Sequence, residues 1–237
     1  MARNPRGSLQ LDEEMRLTHL SYEDWLEHAF GREVRIQQAA WFFDHGCDWW
    51  DPEPAVAVAY LTRLFEQPEP ALRWFSDSQI AQGLTYLVST SASGDNGWLY
   101  STDLAIADRV RCVEAVASLF AQLFVPRCTP HLSHLSETEA GSLNGVCYMW
   151  WDGFPCLALA GDPNLPMMQE AALRTMARIL GFSSIACQES ALHGLGHWQR
   201  DHDPRVNAII DDFLDANPDV DTRLVSYANS ARCGCVL

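Results

Sequence analysis

Residues 187–214 read "CQESALHGLGHWQRDHDPRVNAIIDDFL". Three features of this stretch set the fold expectation. Its first half is rich in Ala, Leu and Gly, which suits a helix packed close to a neighbour. Asp203-Pro204 then pairs a capping residue with a preset first helical turn, so a new helix has to begin there. In the second half Val206, Ile209, Ile210, Phe213 and Leu214 recur at spacings of three and four, an apolar stripe opposite the charged residues. The stretch is therefore a helix, a short polar turn and a second helix.

The same grammar extends outward. Asp-Pro also occurs at 51–52 and 162–163, the latter 41 residues before Asp203-Pro204. Between these two lie "MMQEAALRTMARIL", a break at Gly181 and "SIACQESALHGLGHW". Further helices are predicted from Ser21 as N-cap into "YEDWLEHAF", over residues 33–46, and over "DPEPAVAVAYLTRLFEQ", "PEPALRWFS" and "DSQIAQGLTYLVST". The longest is "TDLAIADRVRCVEAVASLFAQLFV", with Ile106, Val110, Val113, Ala117, Phe120 and Phe124 on one face. "LNGVCYMWWDGFPC" reads as helix to about Trp151, and "VDTRLVSYANSA" closes the chain. Strand alternation is confined to fragments such as "GLTYLVST". The expectation is an all-α chain of about ten helices, with residues 1–12 disordered and residues 13–237 forming a single domain.

A unit of about 40 residues built from two antiparallel helices has the period of HEAT and armadillo repeats. Residues 187–214 resemble a HEAT-like repeat of the type found in phycobilisome lyases. That resemblance implies a right-handed α-solenoid, a stack of antiparallel helix pairs with a curved binding surface. It implies no chemistry, since function on such a fold lies in particular sites.

Composition narrows the partners. Net charge is −15, and all sixteen basic residues are arginine. A nucleic-acid surface needs clustered basic residues, which this chain lacks, and an acidic surface also repels anionic membranes. It favours encounter with basic proteins. No apolar run approaches the roughly 20 residues of a membrane span, and the N-terminus has no apolar signal region, so a cytoplasmic location is expected. Without lysine there is no Walker A loop and no Schiff base. Eight cysteines include no CxxC pair, so a cysteine-rich zinc module is not expected. Cys233 and Cys235, in the tail "CGCVL", read as thiols near a frayed end, or as a redox or soft-metal pair.

Candidate sites are few. Glu189, His193, His197 and Asp201 stand four apart and so share one helical ridge. His193 and His197 have the spacing of metal ligands, with Glu189, Asp201, His202 or Cys187 as further donors. Gly194 stands where the metalloprotease pattern has glutamate, so that family is not indicated. The alternative is that Glu189–His193 and His197–Asp201 are surface pairs at a repeat edge. His45 and Cys47 beside Asp44 and Asp48 form a smaller cluster at a predicted helix end, and His131 and His134 read as solvated. Asp152, after Trp150 and Trp151, is either a carboxylate with a raised pKa or the end of an aromatic core layer. Trp49, Trp50, Asp201, Asp203, Asp211 and Asp212 are candidate contacts for a protein partner.

Three functions follow. The first is a non-enzymatic module that binds a basic protein, for instance a bacterial immunity protein that neutralises a toxin, with no cofactor. The second is a metal-dependent enzyme centred on His193 and His197. The third, from the resemblance alone, is a cofactor-binding helical protein related to the bilin-lyase HEAT group, which would carry bound pigment.

Overall fold

The computed structural model describes residues 16–35, 39–44, 47–88, 95–137, 139–154, 161–199 and 204–236. These are mostly helical and include no closed sheet. The helices are α1 (Tyr22–Phe30), α2 (Pro54–Glu66), α3 (Pro68–Leu72), α4 (Asp77–Val88), α5 (Ile106–Leu119), α6 (Ser142–Tyr148), α7 (Trp150–Gly153), α8 (Leu165–Leu180), α9 (Ile185–Trp198), α10 (Pro204–Ala216) and α11 (Thr222–Arg232). Strands β1 (Arg16–Leu17) and β2 (Trp49–Trp50) form a two-residue parallel pair. Among the described residues no helix is long and apolar enough to cross a membrane. The segment expected to be disordered, residues 1–12, lies outside the described residues.

Local signals account for several helix ends. The Ser21 hydroxyl accepts a hydrogen bond from the Asp24 N–H at 3.1 Å, as an N-cap does. Pro54, Pro68 and Pro204 open α2, α3 and α10 at the first turn, where the missing N–H has no helical partner to lose. The expected start at Asp51-Pro52 is not used, because Asp51 pairs with Arg16 and Glu53 is the residue before α2. The Asp162-Pro163 signal acts differently from a simple cap. Asp162 accepts from the Asn164 N–H at 2.8 Å and also from the guanidinium of Arg109 at 2.7 Å. Arg109 is completely buried on α5, and its Nε donates to the Leu99 carbonyl at 2.8 Å. The pair ties the start of α8 to α5.

The segment 33–46 departs from expectation. Of its described residues only Trp41–Phe43 are helical, as one 3₁₀ turn. Trp41 and Phe42 are both buried, against Tyr86 at ring distances of 4.8 and 5.8 Å. The backbone is extended at Ala40 before the turn and at Asp44 after it, so the turn is not continued into a helix on either side. The long helix also ends differently. After Leu119 the backbone widens to a π turn over Phe120–Phe124, and the Val125 N–H bonds the Phe120 carbonyl. Pro126 follows and cannot donate to the preceding turn, a common origin of such widening.

Packing places α9 at the centre. It touches α6, α7, α8, α10 and α11, while α5 joins α2 to α8 and α4 joins α1 to α6. Every residue from Ala186 to Gly196 except Gln188 is buried, so α9 has hardly any solvent face, and its buried set includes the polar Glu189, Ser190 and His193. Gly196 faces α11 and the tail: a Cβ there would stand 2.6 Å from Val236. The tail is therefore anchored by Val236, with Cys233 and Cys235 exposed on either side of Gly234. Two aromatic clusters fill the core. One gathers Trp25, Trp50, Tyr60 and Trp98, with Trp50 stacked on Tyr60 at 5.6 Å. The other packs Trp150 against Phe65, Phe124 and Phe154.

His28 sets one measurable property of this fold. It is buried, with Nδ1 3.3 Å from the Arg32 guanidinium and Nε2 3.3 Å from the Tyr86 hydroxyl. Burial, reinforced by Arg32, lowers its pKa to about 4. The unfolded chain therefore takes up this proton near pH 6.5 and the folded chain only near pH 4. This contribution to stability is complete above about pH 6.5 and is lost as pH falls through that window, by up to about 3 kcal/mol. Thermal melting between pH 7.5 and 4 should show a fall in the wild type that is shallower in His28→Leu. Parallel profiles would refute the assignment.

Candidate metal centre

Glu189, Ser190 and His193 of α9 point into the molecule, and His197 is half-buried at its edge. His193 and His197 lie one turn apart on its face toward α7. Asp152 reaches them from α7, a position held by its neighbours. Trp150 is completely buried in the aromatic cluster, and Trp151 lies against Phe120 at a ring distance of 6.2 Å. The close approach of α7 to α9 requires glycine at 194, where a Cβ would meet Trp151 Cγ at 2.6 Å and Met176 Sδ at 2.8 Å.

The result is a convergence of three donor atoms. Asp152 Oδ1 is 2.7 Å from His197 Nε2 and 3.1 Å from His193 Nε2, and the two Nε2 atoms are 3.1 Å apart. Ligands bonded at about 2.1 Å to one ion stand about 3 Å apart when they occupy neighbouring positions. The spacing fits a shared ion with small adjustments. Two imidazoles and one carboxylate are the donor set of divalent first-row metal sites that keep open positions. The site is walled on one side and open on the other: the His193 side chain is 1% exposed, while those of Asp152 and His197 are each 29% exposed. A cleft of about 470 Å³ opens at Asp152, lined mainly by Val88, Val146, Met149 and Gly153, with Thr85 as the other polar side chain.

The electrostatics of Asp152 correct one expectation. Burial by itself raises its pKa, but hydrogen bonding to His193 and the charges of His193 and His197 outweigh that, and the carboxyl titrates below its ordinary value. Asp152 is thus an anion ready to bind a cation, not a carboxylic acid held neutral by its tryptophans.

A second layer stands behind His193. Its Nδ1 is 2.7 Å from the Tyr227 hydroxyl, which is 3.0 Å from the Tyr148 hydroxyl. Both phenols titrate above their ordinary value, chiefly through burial, so they stay protonated. The His134 ring stacks on Tyr227 at 4.1 Å and 19°. Glu189 fixes that ring: its carboxylate accepts from the Ser133 N–H at 2.9 Å, the His134 N–H at 2.9 Å and His134 Nδ1 at 2.6 Å.

Several sequence expectations are therefore revised. Glu189 is fully buried and committed to the 133–135 turn, so it is neither a ligand nor half of a surface pair with His193. The ridge continues in three dimensions through Asp152, not through Glu189. His134 is held by Glu189 and mostly covered, not solvated. Trp50 is completely buried, because it fills the first aromatic cluster, and offers nothing to a partner; Trp49 is half-buried. Asp211 is paired with Arg232 at 2.9 Å, while Asp212 is exposed. Cys187 is buried. In the smaller cluster Cys47 bonds the Phe42 carbonyl and Asp44 pairs with Arg35 at 2.6 Å. Asp201, His202, Asp203 and His45 lie outside the described residues. Asp152, Tyr227 and Tyr148 as parts of one site with His193 were not legible locally, since they come from three other helices; the only hint was the carboxylate directly after two tryptophans.

Comparison with protein-family models, with curated proteins and with solved structures gives no match. The reading of the site thus rests on its geometry.

Proposed function

We propose that this chain binds one divalent first-row metal ion through Asp152, His193 and His197 and acts as a metal-dependent enzyme on a small molecule held in the adjoining cleft. The carrying observation is the convergence of the three donor atoms at 2.7–3.1 Å beside that cleft. Sites that only stabilise a fold close the coordination sphere with protein ligands; three ligands and an exposed side leave positions for water and substrate. A metal there polarises a substrate oxygen or lowers the pKa of a bound water. Among the described residues the cleft lining carries no cation, and the chain is strongly acidic. A neutral or cationic substrate fits this field, and a polyanion does not.

The test uses protein purified without a histidine tag and titrated with Co(II). One equivalent bound, with visible bands that shift on adding azide, is the expected result. Failure to bind Co(II), Zn(II), Mn(II) or Fe(II) ends the reading. Binding without any response to azide limits the ion to a structural role.

A second reading, binding of a basic protein by a HEAT-like stack of helix pairs, is favoured by two observations. Net charge is −15. Successive helices α8, α9, α10 and α11 each pack on the next, as neighbouring helices in a repeat array do. An immunity protein acting on a basic toxin is its specific form. Co-purification from the native host of one stoichiometric basic partner would support it, and recovery of the chain alone would count against it.

A further inference from the structure

We infer that Tyr227 is a positioning residue for the metal centre, holding His193 in the tautomer and orientation that aim its Nε2 at the ion. This rests on the metal reading above.

An imidazole that binds an ion through Nε2 carries its proton on Nδ1, and a buried N–H needs an acceptor. His193 is completely buried, and its Nδ1 is 2.7 Å from the Tyr227 oxygen. Once Nδ1–H donates there, the phenolic proton of Tyr227 has its own acceptor in the Tyr148 oxygen at 3.0 Å. Metal binding therefore gives the chain one direction, from His193 to Tyr227 to Tyr148. The tautomer with the proton on Nε2 would aim that proton at the ion.

What holds Tyr227 supports the same reading. Its ring lies flat on His134 at 4.1 Å, and His134 is fixed by the buried carboxylate of Glu189. Glu189 stands four residues before His193 on α9. A fully buried carboxylate is costly unless its partners are well placed. Here it accepts three hydrogen bonds, all from Ser133 and His134. The helix that supplies two metal ligands thus also supplies the anchor for the ring behind the first of them.

The test compares wild type, Tyr227→Phe and Tyr148→Phe by calorimetric titration with Zn(II), alongside melting of the metal-free proteins. Loss of a partner to a ligating histidine typically costs 10–100-fold in affinity. Tyr227→Phe is expected to lose about that much, and Tyr148→Phe, one bond further out, less than about threefold. A purely structural role would lower the metal-free melting temperature and leave the Zn(II) affinity unchanged. Nitrogen NMR of the loaded wild type should show His193 with a slowly exchanging proton on Nδ1, exchanging faster in Tyr227→Phe. If Tyr227→Phe does not fold, His134→Leu keeps the hydroxyl and removes the stack, and should weaken Zn(II) binding. Wild-type affinity in Tyr227→Phe, or in His134→Leu should that be the variant that folds, overturns the inference and leaves the metal site standing. A wild type that binds no metal removes both.

Discussion

Asp152→Ala and His197→Gln are each expected to lower the affinity for Co(II) by about two to three orders of magnitude, because a binding free energy of roughly 10 kcal/mol or more would be divided among few ligands. These two positions are the cleanest to change. Both side chains are partly exposed, so their loss leaves little empty space. His193→Ala should weaken binding in the same way but also opens a cavity beside Tyr148, whose ring lies 4.3 Å away, and removes the partner of the Tyr227 hydroxyl. Its melting temperature should therefore fall, whereas those of the other two should stay close to wild type. Competition against a chelator of known affinity measures the loss. Affinity within threefold of wild type in Asp152→Ala would remove the carboxylate from the site and reduce it to a histidine pair.

The second large effect concerns a residue outside the proposed ligand set. Gly194→Val places carbon where Trp151 Cγ and Met176 Sδ already lie, at 2.6 and 2.8 Å from the position of a Cβ. Overpacking of this kind costs about 1–3 kcal/mol. For a chain of this length that corresponds to a melting temperature lower by roughly 3–10 °C. Trp151 precedes Asp152, so a valine that pushes α7 away from α9 also withdraws the carboxylate. Metal affinity should fall with all three ligands intact. Gly145→Ala on α6 serves as the contrast. A Cβ there meets nothing within 4 Å, and the change should be neutral or stabilising by a few tenths to about 1 kcal/mol. A Gly194→Val protein that melts lower and binds metal as tightly as wild type would show that α7 is held by something other than this contact.

Some of the site was legible from sequence and some was not, for reasons that differ by residue. The four-residue spacing of His193 and His197 follows from helical geometry, so a sequence containing that helix places both imidazoles on one face. The direction of that face did not follow. Glu189 and Asp201 share the ridge by spacing, yet Glu189 turns to the 133–135 turn because its backbone donors lie there. Asp152 precedes His193 by 41 residues, and no periodicity connects them. Trp50 and Trp151 illustrate the same limit. A tryptophan beside an acidic residue is compatible with a core or with an exposed patch, and only its neighbours decide.

The sequence by itself determined where several helices begin and end. Ser21, the prolines at the first turns of α2, α3 and α10, the glycines and the three-and-four spacing of apolar residues act within a turn or two of the chain, and such short-range preferences survive in any context. It also determined the acidic field, which is a property of composition. Tertiary structure alone decided that residues 33–46 contain a 3₁₀ turn, that α9 is central and that Asp152 faces His193 and His197. It also put a phenol behind one of those histidines. These depend on contacts between segments tens of residues apart. The physical reason is that such contacts are set by the mutual fit of whole helices, and the fit of α7 on α9 turns on Gly194, the one residue between them with no side chain.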